Sequence, residues 1–237
     1  YGMMRLAGSD VVEQKTLNTG QVLTEEQLQE ARIELGLDKP FLQQYVRWLC
    51  NFFHGDMGVS YVSNKDVFET FISKLPATIF LTITSILITV ILSIPLGIIS
   101  AVYQNKFIDY LIRFFSFIGN SLPNFFVALV LMYFFAIRMG WLPIISKELS
   151  GTSIIMPSLT LAIAMTSKYL RQVRATVLDE LSKDYVLGAK ARGIKFSVIL
   201  MKSVMRSALI TIITLLAISI GSLLGGTAIV ESIFMCD

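Results

Sequence analysis

The chain has 237 residues, of which 54% are apolar and only 16% charged, and a mean hydropathy of +0.67; soluble domains carry about a quarter charged side chains. One histidine, His54, and two cysteines, Cys50 and Cys236, are too few for a zinc site of four protein ligands or for a disulfide framework. The net charge of +3 arises from 20 basic and 17 acidic residues on an apolar chain, which membrane orientation explains better than contact with nucleic acid.

Residues 1–74 form a polar region with seven Lys/Arg against ten Asp/Glu. Within it, Thr24-Glu-Glu-Gln27 fits a capping box that opens a helix through Leu35, with Gly36 as its stop. Pro40 starts a second helix, in which Phe41, Leu42, Tyr45, Trp48, Leu49 and Phe52 recur at helical spacing until Gly55 and Gly58 break it. That stripe reads as a helix packed on its own protein or lying at a membrane surface, ahead of a ligand site. His54 beside Gly55-Asp56 invites a metal reading, but a lone loop histidine carries no ligand set. Cys50 reads as a small packed residue.

Four stretches then lack any charge: Leu75 to Asn105, Phe114 to Ile137, Leu149 to Ser167 and Ser207 to Val230. Each is long enough, at about 1.5 Å per residue, to cross a hydrocarbon core of about 30 Å. The expected fold class is therefore an all-α integral membrane bundle with four visible spans. Pro95, Pro123 and Pro157 lie in or near these spans and act either as helix kinks or as hinges. Asn120, Ser121 and Asn124 cluster around Pro123 and serve either interhelical hydrogen bonding or the lining of a path. Gly221 and Gly225 have the Gly-x-x-x-Gly spacing that permits close helix packing.

The spans contain no Asp, Glu, Lys, Arg or His, which weighs against a proton- or sodium-coupled carrier or a voltage sensor. Serines without an intramembrane base weigh against a membrane-embedded enzyme. No Gly-x-x-x-x-Gly-Lys-Ser/Thr is present, so ATP-driven work requires a partner.

Between the third and fourth stretches, Lys168 to Arg206 carries nine Lys/Arg against Asp179, Glu180 and Asp184, which places this loop in the cytoplasm. Counting crossings back puts Arg138–Glu148 outside, Lys106–Arg113 inside and residues 1–74 outside, so a further span is expected before Tyr1. Leu170, Val173, Val177 and Leu181 repeat at helical spacing, so the third span is expected to continue as an amphipathic helix. Asp184 is placed to cap a short helix over Tyr185 to Arg192, which Gly193 stops in a left-handed conformation. Ile194 starts the next helix. Small Ala189 and Ala191 beside the glycine would leave a protruding knob whose backbone a partner can approach.

The run Asp184-Tyr-Val-Leu-Gly-Ala-Lys-Ala-Arg-Gly193 resembles the cytoplasmic coupling loop of permease subunits of bacterial ABC importers, in the dipeptide, oligopeptide and nickel branch. Three further stretches agree and follow in the family's order: Leu35 to Pro40 with Gln44, Tyr45, Trp48 and Leu49; Gly55 to Ser60; and Gly225 to Glu231 with Phe234. There are departures. The family's Glu-Ala-Ala positions are here Leu187, Gly188 and Ala189, its Asn-Ala-Leu-x-Pro is Ser207-Ala-Leu-Ile-Thr211, and its aromatic-Pro-Gly turn after Phe234 is replaced by Met235-Cys-Asp237. The resemblance implies about six spans in a complete relative, so the first and last are expected to be missing here.

The resemblance also implies a location in the bacterial inner membrane and contact with membrane lipid. Its implied partners are a second homologous permease, two cytoplasmic ATP-binding subunits and an extracytoplasmic substrate-binding protein, with no cofactor of the chain's own. Asp184, Tyr185, Ala189, Ala191, Gly193 and Ile194 would form the ATPase-coupling loop. Gly58-Val-Ser-Tyr-Val-Ser63 is similar to nickel-type members, which gives nickel or a nickel chelate a small edge over short peptides as cargo. The rival reading is an ion-coupled secondary transporter.

Overall fold

The computed structural model describes residues 24–34, 37–60, 63, 65–144 and 151–235. The expected helix stop at Leu35 and Gly36, the loop end at Glu148, the start of the third stretch at Leu149, Tyr61, Val62 and Cys236 lie outside these residues. The chain divides into two compact units, residues 1–75 and 76–237.

In the first unit, helix α1 (Glu25–Glu34) opens as its capping box requires, with Gln27 Oε1 accepting the Thr24 amide at 3.1 Å. Helix α2 (Phe41–Phe53) follows Pro40 and ends before Gly55, whose φ of +84° continues no helix. Tyr45, Trp48 and Phe52 stack along one side of it at 5.7–6.0 Å between ring centroids. The His54 ring Nδ1 lies 2.7 Å from the Cys50 carbonyl, and both residues are exposed.

The remaining named elements are all helical. Helix α3 runs over Val67–Val102, with Asp66 accepting the Glu69 amide at 2.9 Å as its cap. Helix α4 (Phe107–Ser121) is followed by α5 (Asn124–Leu131), which continues into a π-helical segment, Met132–Arg138. Helix α6 (Ile155–Leu181) leads to the short α7 (Asp184–Ala191). One turn, α8 (Phe196–Ile199), passes through a second π-helical segment (Leu200–Val204) into α9 (Met205–Gly226), and α10 (Ala228–Phe234) closes the described chain.

The four expected spans appear in three different forms. Val67–Val102 and Phe196–Gly225 are long and apolar enough to cross a membrane. The second stretch is broken: α4 and α5 meet at a bend of 102° across Leu122-Pro123, so they make one span only as a bent pair. Pro123 has no amide to continue the α4 ladder, and the residue before a proline is pushed out of helical conformation; Leu122 accordingly sits at ψ 131°. In the third stretch, among the described residues, only Ile155–Ser167 is helical before Lys168, about 20 Å of helix against about 30 Å of hydrocarbon.

Helix α3 buries a row of small residues, Ser85, Thr89, Ser93, Gly97 and Ser100, which lets α6 come close. A Cβ built on Gly97 would lie 2.7 Å from Val173, and one on Gly119 of α4 would collide with the Ser167 hydroxyl. The Gly-x-x-x-Gly pair behaves differently, since nothing lies within 4 Å of a Cβ at Gly221 or Gly225. Hydroxyls join the helices: Thr84 meets Ser158 at 2.7 Å, Ser116 donates to the Ser167 carbonyl at 2.7 Å, and Tyr169 reaches the Leu215 carbonyl and the Ser219 hydroxyl of α9.

Two apolar cores result among the described residues. One gathers Ala101, Val173, Val177, Val186, Ile199 and Ile212 at the end that carries α7; the other gathers Leu81, Ala128, Met156, Leu161, Leu223 and Phe234. On α3 their markers, Ala101 and Leu81, are separated by about 30 Å of helix.

Candidate functional site

The expected amphipathic continuation is present. Helix α6 runs unbroken past Lys168 to Leu181, and Leu170, Val173 and Val177 on its inner face are at most 4% exposed. It shares one apolar core with α7, in which Val177 and Val186 are both fully buried. One turn of chain, Ser182 and Lys183, separates the two helices.

Gly193 does what its position in the sequence requires. Its φ is +75°, its amide donates to the Lys190 carbonyl at 2.9 Å, and the Ile194 amide reaches back to the Ala189 carbonyl at 3.2 Å. Those two bonds, 5→2 and 6→1, are a Schellman motif, which closes a helix with a residue in the left-handed region. A Cβ at Gly193 would meet nothing within 4 Å, so this corner faces open space.

Three details differ from the sequence reading. The helix starts at Asp184, one residue early; extended Lys183 occupies the cap position without a side-chain cap bond, and Asp184 lies in the first turn, where its charge still favours the helix dipole. Ala189 is 7% exposed and belongs to the core, because on a helix anchored through Val186 the position three residues on faces the same way. Ile194 remains outside any helix, since α8 begins only at Phe196. The outward surface is instead made by Tyr185, Leu187, Ala191, Gly193 and Ile194, with Leu187 the most exposed of its large apolar members at 59%.

A charge cluster braces this loop. Glu180, at the end of α6, accepts Lys183 Nζ at 2.5 Å and the Tyr185 hydroxyl at 3.0 Å. The Lys183 hydrogen bond holds the Glu180 carboxyl below the usual carboxylate range despite burial, and the same bond raises Lys183. Burial, followed by the bond to Glu180, pushes the Tyr185 phenol up. The i,i+3 spacing of Glu180 and Lys183 was the available signal.

A second brace joins distant parts of the chain. Asp109 of α4 is completely buried; it accepts Arg174 Nε and Nη2 at 2.8 and 2.9 Å, the Ser100 hydroxyl at 2.5 Å and the Asn105 amide at 2.9 Å. This bidentate pair ties α4 to α6 across 65 positions of sequence. Asn120 likewise accepts Arg171 Nη2 at 3.3 Å. Asn120, Ser121 and Asn124 are all exposed around the Pro123 bend, with the Ser121 hydroxyl turned to its own helix at Phe117. The structure thus gathers these three residues at one bend and gives them no common partner among the described residues.

Comparison with known proteins agrees along most of the chain. Residues 93–235 match the family described as "Binding-protein-dependent transport system inner membrane component", and residues 10–82 match the N-terminal family of such membrane components. The chain is 36% identical over 203 residues to the "Glutathione transport system permease protein GsiC" of Escherichia coli (strain K12), with 86% of this chain and 66% of the relative covered. The same figures hold for proteins of that name from Shigella flexneri serotype 5b and Salmonella paratyphi A. The matched region therefore spans just under two thirds of those relatives. On the match over residues 93–235, the chain belongs to the family of binding-protein-dependent transport system inner membrane components.

Proposed function

We propose that the chain is the membrane-spanning permease part of an ATP-driven importer, and that α7 with its Gly193 corner is the element that seats in a cytoplasmic ATPase. The carrying observation is the outward corner itself: a short helix fixed from below by Val186 and Glu180, ended by a left-handed glycine whose surroundings are open. A motor subunit can press on such a corner and move α6 and α8 together, because both share its core. Residues 1–74 are read as the extracytoplasmic region, 75–237 as the permease domain and 168–206 as its cytoplasmic coupling loop.

The partners in this reading are a second homologous permease, two ATP-binding subunits and an extracytoplasmic binding protein. For the cargo, the names of the relatives favour a short peptide such as glutathione over nickel. Asn120, Ser121 and Asn124 are assigned to the path because an exposed polar cluster at a 102° bend offers hydrogen bonds that a sliding polar solute can exchange.

The test is Gly193→Val in the full-length protein. A β-branched residue at φ +75° costs roughly 1–2 kcal/mol in the backbone, and its side chain projects into the space an ATPase would occupy. Pull-down of ATPase subunits and uptake of labelled glutathione are both expected to fall at least tenfold with membrane insertion unchanged, whereas Ser63→Ala changes neither. Normal ATPase binding and uptake in the valine variant would refute the coupling assignment. Uptake of nickel without glutathione would refute the cargo.

A further inference from the structure

Next to the loop, the α4–α6 surface holds more positive charge than its packing uses. Tyr110, Arg113, Phe114 and Phe117 recur at i, i+3, i+4 and i+7 on α4, and Arg171 and Arg174 stand three apart on α6. These six residues line a cavity of about 710 Å³.

Two guanidinium groups, those of Arg113 and Arg174, lie against one buried carboxylate, Asp109, and a third, that of Arg171, lines the same cavity. Arg174 takes both of its oxygens. Arg113 lies over the Tyr110 ring at 4.6 Å, and its Nε, although 3.3 Å from Asp109 Oδ1, is buried without a hydrogen-bond partner. Arg171 gives one Nη to Asn120 and is otherwise exposed. Five N–H donors per guanidinium leave most of the donor capacity of Arg113 and Arg171 open, in the fork geometry that suits a phosphate group.

The level in the molecule narrows the ligand. Arg171 stands about one turn beyond Ser167, where the charge-free part of α6 ends, so the cavity belongs at the edge of the hydrocarbon layer. Phe114 and Phe117, 59% and 67% exposed, add an apolar wall that a water-soluble phosphate would leave uncovered. Acyl chains would cover it.

We propose that this cavity binds the phosphate headgroup of an anionic membrane phospholipid, with Arg113 and Arg171 donating to the phosphate and Phe114 and Phe117 lying along the chains. The lipid would then clamp α4 to α6 beside the Asp109–Arg174 pair.

The test uses the full-length protein in its assembled transporter, reconstituted in nanodiscs of equal phosphatidylglycerol and phosphatidylcholine, re-extracted mildly and assayed for retained lipid by mass spectrometry. Phosphatidylglycerol is expected to be enriched over phosphatidylcholine. Retention is expected to fall about fivefold for each arginine removed in Arg113→Gln and Arg171→Gln, and to stay unchanged in Lys195→Gln, a basic loop position away from the cavity. If Arg113→Gln fails to fold, Arg171→Gln alone decides, because that side chain is exposed and lies outside the Asp109 pair. Equal retention of both lipids, or full retention in Arg171→Gln, would overturn the proposal. Displacement of the lipid by millimolar inorganic phosphate would assign the site to a soluble phosphate and overturn it equally.

Discussion

The two cores of the second unit share α3, α6 and α9 and solve different problems. At the α7 end the buried carboxylates are paired: Asp109 has Arg174, Ser100 and the Asn105 amide, and Glu180 has Lys183 and Tyr185, although Arg113 Nε beside Asp109 is buried without a hydrogen-bond partner. At the other end, buried polar atoms such as Thr82 Oγ1 and Glu231 Oε1 have no hydrogen-bond partner among the described residues, and the backbone is bent at Pro123 and loosened into a π-helix. A satisfied polar network over a low-dielectric core rigidifies, whereas unpaired buried groups cost free energy and favour rearrangement. The α7 end is thus braced by its paired carboxylates, and the other end is the bent one.

The largest effect is expected where a charge would lose its partner. Asp109→Ala would leave Arg174 facing a core without its counter-ion, and breaking a buried pair from one side costs about 3–5 kcal/mol. A sharp drop in the thermal midpoint of the detergent-solubilised full-length protein is expected. A melt within about a degree of the parent would mean that the Asp109 brace does not stiffen the α7 end, and the contrast between the ends would fail.

Packing separates the ends next. Gly97→Ala places a methyl 2.7 Å from Val173 in the α7-end core and is expected to destabilise by about 1–3 kcal/mol. Gly221→Ala meets open space on a helix of the other end and is expected to be neutral or stabilising by up to about 1 kcal/mol, through helix propensity. Chemical unfolding of the two variants side by side reads the difference. Equal losses would show that Gly221 is packed against a neighbour after all.

The smallest effect is pH-dependent. The Glu180 carboxyl is held below its ordinary value of 4.5, chiefly by the hydrogen bond from Lys183. A group with a depressed folded-state value contributes stability in full above its unfolded value and loses it as pH falls through the folded one. Hydrogen exchange over Asp184–Ala191, corrected for intrinsic rates, should therefore hold steady above about pH 4.5 and quicken below it. Glu180→Gln should produce a few-fold quickening already at neutral pH, a small change because Lys183 is solvated and water screens the pair. No change in the glutamine variant would remove Glu180 from the brace.

The features legible from residue type and spacing are local. The Thr24–Gln27 box, the inward row Leu170, Val173 and Val177 and the stop at Gly193 are legible because each depends on contacts within about one helical turn, where residue type and spacing suffice. Composition and the charge-free runs likewise declare a membrane protein. Contacts between helices settle which runs become straight spans, since charge-free length says nothing of the bend at Leu122-Pro123 or of where α6 begins. They also turn Ala189 inward, on the face of α7 that Val186 anchors in the core, and join Asp109 to Arg174 over 65 positions. Such pairs depend on which faces of distant helices meet, and a periodicity fixes a face without naming its neighbour.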